Sequence, residues 1–453
     1  MGMGMGMGMN VQEAALEGQR AIGLSSQQPS LPADSLLAMW QQAVADSGER
    51  PAFTCLGQTL SYGEVDQLAE RIAGYFHNQL KLVAGDRLAI QLPNLLQYPT
   101  VVVAAWKLGL VIVNTNPMYT HRELVHQFND SGAKAVVVLD QFYDILQAAL
   151  PETGIEHVVV TRAIDMLPQP KKALLAVVTK VLGKRPGLPS QGIVGFTDML
   201  AGQSAYPSHT PAYEDICALQ YTGGTTGVSK GVMLTQGSLM SNVAQTMAMV
   251  SSGGRSVTNF TTVSPLPLYH IYAWMLNMGL MPATRGHSVL IPDPRNISMF
   301  VGAIKSLKFE IFCGLNSLFV ALLQDSKFQK LDFSQLQITL SGGMALMDAV
   351  AHEWQAATGC VVSEGYGMTE SSPVISMNPS GSEKIGTAGI PLPGTEIKVV
   401  DENGVEQQVG GVGELCVRGA QVMKGYWQRE AQTAEVIIDG WLHTGDIVTV
   451  DEQ

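Results

Sequence analysis

Short β-branched runs alternate with helical patterns through most of this chain, and that alternation restricts its fold more than any other feature. DRLAIQLP reads as a strand, LLQYPTVVVAAWKLG as a buried helix, LVIVN as a strand, THRELVHQF as an amphipathic helix and AKAVVVLD as a strand. Further along, SVLIP, FEIFCGL, LQITLSGG and VVSEGYG each follow a helical pattern. Strands that alternate with helices mark an α/β fold with mostly parallel sheets. After Pro373 the texture changes to Gly, Pro and short strands, with DENG between two of them as a hairpin signal. Residues 374–453 are therefore expected to form a small β-barrel or sheet attached to the α/β body.

The amino-terminal MGMGMGMGMN has neither a charged first region nor a continuous apolar run, so it is not a signal peptide. Residues 1–28 are expected to be a disordered tail. A chain of 453 residues with 46% hydrophobic and 15% charged residues has ample core for several subdomains. Its formal net charge of -12 argues against a general nucleic-acid binder, because phosphate backbones select Lys and Arg. Five cysteines without metal spacing suggest reduced thiols and a cytoplasmic protein. The most apolar run, YPTVVVAAWKLGLVIVN, is interrupted by Lys107 and Gly109 and reads as a buried helix followed by a buried strand. Residues 169–186, QPKKALLAVVTKVLGKRP, are basic and amphipathic. They suit either peripheral contact with an anionic membrane, as at its inner face, or a solvated surface helix.

YTGGTTGVSKG, residues 221–231, points to phosphate. It lies between a buried strand, DICALQ, and a helical pattern in which Thr235 or Ser238 is a candidate cap. Strand, flexible loop and helix is an anion-holding arrangement. Gly223, Gly224 and Gly227 let the backbone approach oxygens closely, while Thr222, Thr225, Thr226 and Ser229 add hydroxyls and Lys230 a point charge. The P-loop kinase pattern fails, since Ser229 precedes Lys230 and Gly231 follows it.

This stretch resembles the phosphate signature of the adenylate-forming superfamily, with Ser229 where the family usually has Pro. PLPLYHIYAW, LSGGMAL, EGYGMTESSP and WLHTGDI resemble four further motifs of that superfamily, in order. VNTNPMYTHREL, PLPLYHIYAW, EGYGMTESSP and QVMKGYW resemble bacterial long-chain fatty acyl-CoA synthetases. The resemblance implies two packed α/β subdomains, 29–215 and 216–373, with the β-barrel subdomain 374–453 completing an AMP-binding domain.

It also implies roles. Thr225, Lys230, Thr369 and Glu370 would be catalytic, Glu370 as the Mg²⁺ ligand; one carboxylate with phosphate oxygens is usual for that ion. Thr222, Gly223, Gly224, Thr226 and Gly227 would cradle phosphate. Glu364, Gly365, Tyr366 and Gly367 would meet the nucleotide, with the Tyr366 ring on adenine, and Asp446 would accept from the ribose. Ser341, Gly342 and Gly343 would line the adenine and acyl carbonyl. His270, Trp274, Gly342 and Gly367 would face the acyl group, Trp274 as a gate among adaptable methionines.

The implied reaction joins ATP, a fatty carboxylate and coenzyme A in two steps, through an acyl-adenylate. The family continues into a mobile carboxy-terminal domain with a catalytic lysine, and nothing before Gln453 matches it; the nucleotide and acyl pockets are expected without full catalysis. A medium-chain or aryl acid ligase, a fatty acyl-AMP ligase and a non-catalytic nucleotide- or acyl-binding protein remain alternatives. Oligomeric state, a homodimer included, stays open.

Overall fold

The computed structural model describes residues 9–173, 192–201, 205–222 and 228–453. The strands expected from the alternation form: Arg87–Gln91, Val111–Asn114, Ala133–Leu139, His287–Leu290, Ile311–Gly314, Ile338–Gly342 and Val362–Gly367. The helix Gln97–Leu108 is buried along its whole length and ends at Gly109, whose φ of 72° turns the chain into Val111–Asn114. Lys107 near its end is buried too. A buried ammonium needs a partner, and its Nζ lies 2.8 Å from Asp66 and 3.6 Å from Glu70. Helix His121–Ser131 starts where Thr120 and Glu123 cap each other reciprocally.

Among the described residues two large sheets result. One has eight strands in the order Gly425–Tyr426, Lys230–Thr235, Ile216–Thr222, Val111–Asn114, Arg87–Gln91, Ala133–Leu139, His157–Thr161 and Val194–Gly195. It is parallel from Ile216–Thr222 to the far edge. The other has nine, in the order Ile390–Pro391, Val374–Met377, Val362–Gly367, Ile338–Gly342, Ile311–Gly314, Thr261–Ser264, His287–Leu290, Pro51–Cys55 and Gln58–Ser61. The chain crosses between them. Pro51–Ser61 joins the nine-stranded sheet, while Ile216–Thr222 and Lys230–Thr235 join the eight-stranded one. A small antiparallel half-barrel sheet, Glu396–Val400, Val412–Arg418, Trp441–Thr449 and Ile437–Ile438, carries the carboxy-terminal segment. The DENG turn lies after its first strand: the Asp401 carboxylate accepts from the Asn403 and Val405 amides, both at 2.9 Å.

Three expectations need restating. The segment 1–28 contains a helix, Val11–Ala21, rather than only a tail. Asn10 and Glu13 form its capping box, Val11, Ala14 and Ala15 are buried, and Gln19 donates to the carbonyls of Pro391 and Leu392. The stripe is too short and Ala-rich to stand out beside the Met-Gly repeat. The glycine-rich stretch leads into a strand, Lys230–Thr235, before the helix Gln236–Val250, which Thr235 and Ser238 cap together. Val232 and Leu234 are buried in that strand, so its alternation wins over helix continuation. Of the basic segment, residues 174–191 lie outside the described residues; Lys171 donates to the Leu56 carbonyl and Lys172 to that of Asp165. Among the described residues no helix is long and apolar enough to cross a membrane.

Candidate active site

The carboxyl ends of parallel strands from both large sheets face one cavity, the position where α/β sheets commonly hold ligands. Thr222 comes from the eight-stranded sheet; Ser341, Gly342, Gly343, Gly365, Tyr366 and Gly367 come from the nine-stranded one. The cavity measures about 300 Å³. Gly367 is there for want of space: a Cβ would sit 1.9 Å from the Pro373 carbonyl oxygen. Gly343 has a φ of 80°, which favours glycine. The buried Ser341 hydroxyl has no hydrogen-bond partner among the described residues.

The segment between Thr261–Ser264 and the next helix is fixed from beneath. Asn94 donates to the carbonyls of Ser264 and Leu266 and accepts from the Leu268 amide. Tyr98 donates to Leu268, and Gln220 to the Tyr269 carbonyl at 2.8 Å. His270 then caps the helical stretch 271–283, its Nδ1 accepting from the Tyr272 amide. The ring keeps exposed surface at the cavity mouth, yet the surrounding protein disfavours its charged form and lowers its pKa below the ordinary value. A π-helical turn, Met275–Leu280, interrupts this helix and is a recurrent feature of functional sites. Met275, Leu276 and Leu280 line the apolar side of the cavity with Met377. Trp274 does not line it: the ring is 1% exposed and packs edge-on against Trp106, centroids 5.9 Å apart.

Polar groups line the same cavity. Thr369 opens a short 3-10 turn, Thr369–Ser371, which carries Glu370 into the cavity wall. Glu370 is 6% exposed; its Oε1 accepts from the Tyr426 hydroxyl at 2.8 Å, and its backbone carbonyl accepts from the Met423 amide. Lys230 Nζ sits 4.2 Å from the centroid of the same Tyr426 ring. Tyr366 donates to Asp446 at 2.6 Å. Burial, then that carboxylate, raises the Tyr366 pKa, so the phenol stays protonated and able to donate. Asp446 itself is held by neighbours: Glu414 accepts from the Gly445 amide and pairs with His443, and Thr444 accepts from the Asp446 amide.

Most residues singled out from the sequence thus meet. Thr222, His270, Gly342, Gly343, Gly365, Tyr366, Gly367, Thr369 and Glu370 line one cavity. Asp446 joins through Tyr366, and Lys230 through Tyr426. Glu364 turns elsewhere, its carboxylate accepting from the amides of Leu346 and Gly386. Gly223, Gly224, Thr225, Thr226 and Gly227 lie outside the described residues. The described residues on either side, Thr222 and Lys230, are antiparallel cross-strand partners. Tyr426 escaped notice; the motif KGYW contains it, but nothing local says that its ring reaches residues 230 and 370. All five cysteines are buried and free, and burial pushes the Cys55 thiol up to about 12, as expected of inert thiols.

Comparison with known proteins gives the family. The model of the family described as AMP-binding enzyme matches residues 40–427. A long-chain-fatty-acid–CoA ligase of Haemophilus influenzae is 42% identical over 425 residues, which cover 92% of this chain and 75% of the relative. Its counterpart in Escherichia coli O157:H7 is 40% identical over 428 residues, with the same shares covered. The crystal structure of a long-chain-fatty-acid-CoA ligase from Archaeoglobus fulgidus matches in fold, with a TM-score of 0.80 at 24% identity, over 95% of this chain and 84% of that one. With the cavity at the strand ends and a family match across most of its length, the chain belongs to the AMP-binding enzymes.

Proposed function

We propose that the chain activates long-chain fatty carboxylates with ATP and passes the acyl group to coenzyme A. The observation that carries this reading is a single cavity lined both by polar groups, Thr369, Glu370 and Tyr366 with Asp446 bonded to it, and by the apolar side chains of Met275, Leu276, Leu280 and Met377. The relatives that are 40–42% identical, all long-chain-fatty-acid–CoA ligases, support the substrate class. A fatty carboxylate oxygen attacks the α-phosphorus of ATP, and the bond to the bridging oxygen breaks to release pyrophosphate. The thiolate of coenzyme A then attacks the acyl carbonyl, and AMP leaves with the bonding electrons.

In this reading Tyr366 presents its ring to adenine and Asp446 accepts from the ribose. Thr369 donates to the α-phosphate and Lys230 offsets phosphate charge, helped by the hydroxyls and amides of residues 222–227. Glu370 fits a magnesium ligand, being a wall carboxylate with one oxygen bonded to a neutral phenol and, among the described residues, no cation paired to it. Magnesium there would neutralise phosphate charge. His270, neutral by virtue of its surroundings, borders the carboxylate without adding a second cation.

Pyrophosphate exchange across acids of increasing length tests the proposal; rates should rise with chain length into the long-chain range. A second reading, a medium-chain or aryl acid ligase, draws on the Trp274–Trp106 ring contact next in sequence to the cavity residue Met275. Exchange that peaks with short or aromatic acids would select it, and no exchange with any acid would leave a nucleotide-binding protein. Contact of residues 169–186 with anionic membrane is proposed from their charge alone, and salt-sensitive vesicle binding is its test.

A further inference from the structure

Glu370 lines the cavity and Lys230 approaches it through Tyr426; the two carry opposite charges and do not pair. Between them stands Tyr426, 5% exposed, on the edge strand Gly425–Tyr426 that pairs antiparallel with Lys230–Thr235. Its ring face lies under the Lys230 ammonium at 4.2 Å, and its hydroxyl donates to Glu370 Oε1 at 2.8 Å. Its own amide donates to Thr433 at 2.9 Å, which fixes the backbone behind the ring. Three residues earlier, the Met423 amide holds the Glu370 carbonyl. The segment 423–426 thus grips Glu370 at both its main chain and its carboxylate.

We propose that Tyr426 is a positioning residue that keeps Lys230 and Glu370 apart, reserving the carboxylate for a divalent cation and the ammonium for phosphate. This inference rests on the nucleotide reading of the cavity. A Lys–Glu ion pair in a partly desolvated wall would neutralise both groups, and each ligand would have to break it before binding. A ring face attracts a cation through its quadrupole without supplying an anion. A phenol satisfies one carboxylate oxygen without supplying a cation. One side chain therefore satisfies both charges while leaving each with its sign intact. Among the described residues no hydrogen bond reaches the other oxygen, Oε2, of Glu370.

The test is calorimetric titration of the 453-residue chain with ATP, in EDTA and in excess Mg²⁺. In Tyr426→Phe the ring stays and the hydroxyl goes. Its affinity for ATP in EDTA should match wild type, and the gain conferred by Mg²⁺ should shrink about 3–10-fold, the worth of one hydrogen bond. In Tyr426→Leu, Lys230 should fall onto Glu370, so that affinity in EDTA drops as well. Thermal unfolding of both variants monitors the fold, and Tyr426→Phe decides alone should the leucine variant not fold. A Mg²⁺ gain in Tyr426→Phe equal to wild type overturns the inference, as does an equal loss with and without Mg²⁺, which marks a merely structural role. Glu370→Gln separates the two levels. If it abolishes the Mg²⁺ gain while Tyr426→Phe keeps it, the tyrosine inference alone falls. If it too keeps the gain, the metal reading falls and takes the inference with it.

Discussion

Truncating Trp274 should affect stability and acyl selection in ways that can be separated. The indole is 1% exposed against Trp106, and its Nε1 has no hydrogen-bond partner among the described residues. Replacing a buried tryptophan by alanine usually costs about 3–5 kcal/mol. Here part of that is offset, because an unsatisfied buried donor, worth about 1–3 kcal/mol, leaves with the ring. Trp274→Ala should therefore cost roughly 2–3 kcal/mol. Trp274→Phe keeps most of the packing and loses the same N–H, so it should lie within about 1 kcal/mol of the parent protein. Denaturant titration measures both. A phenylalanine variant as unstable as the alanine variant would refute the reasoning, since it would mean that the N–H is satisfied. The alanine variant also removes the buried ring next in sequence to the cavity residues Met275 and Leu276. Its apparent affinity for long acids should change more than that for ATP; equal changes would argue against Trp274 as a barrier to the acyl chain.

Lys230→Ala and Glu370→Gln should each reduce pyrophosphate exchange by about 10²–10³-fold without lowering the melting temperature appreciably; activity equal to wild type would remove the phosphate-site assignment. Asp446→Ala should weaken ATP binding by calorimetry about tenfold, the worth of one good hydrogen bond, and free the Tyr366 hydroxyl; unchanged binding would exclude a ribose contact. Burial holds His287 to about 4 against an ordinary 6.5, while its Nε2 lies 2.7 Å from the Thr54 hydroxyl. The unfolded chain takes up that proton first, so this part of the stability is full above pH 6.5 and is lost as pH falls towards 4. At about 1.4 kcal/mol per unit the loss reaches roughly 3 kcal/mol. His287→Gln should flatten the decline between pH 6.5 and 4, and an unchanged slope would assign it to other groups.

What could be read from the sequence follows a physical pattern. Strands such as Ala133–Leu139 and the wholly buried helix Gln97–Leu108 declare themselves through local periodicity and composition. The capping of Gln236–Val250 was visible in Thr235 and Ser238, though which of them is the cap depends on the strand before it. That strand was hidden, since Lys230–Thr235 is short and follows a loop that suggests a helix start. Strand pairing within the nine-stranded sheet was not legible either, because Pro51–Cys55 meets His287–Leu290 and no local signal reports so distant a partner. In the site, the motif residues Tyr366, Thr369 and Glu370 line one cavity, and Asp446 accepts from Tyr366. Tyr426 and the inward packing of Trp274 depend on three-dimensional contacts. So does the turn of Glu364 towards the amides of Leu346 and Gly386.

The crossing of the chain between sheets governs the order in which the protein can be made. The hairpin Pro51–Ser61 finds its parallel neighbour only at His287–Leu290. At about 5–20 residues per second of synthesis, more than two hundred residues separate the two, so the hairpin waits roughly 10–50 s for its partner. An isolated two-stranded hairpin is marginal in water. During that interval its parallel edge is open to any other strand. The eight-stranded sheet has most of its members by Thr235 and can assemble meanwhile. The newborn chain therefore passes through a state with one sheet largely built and the other represented by an unpaired edge. In that state a chaperone or a second nascent chain meets Phe53 and Thr54 before His287–Leu290 does.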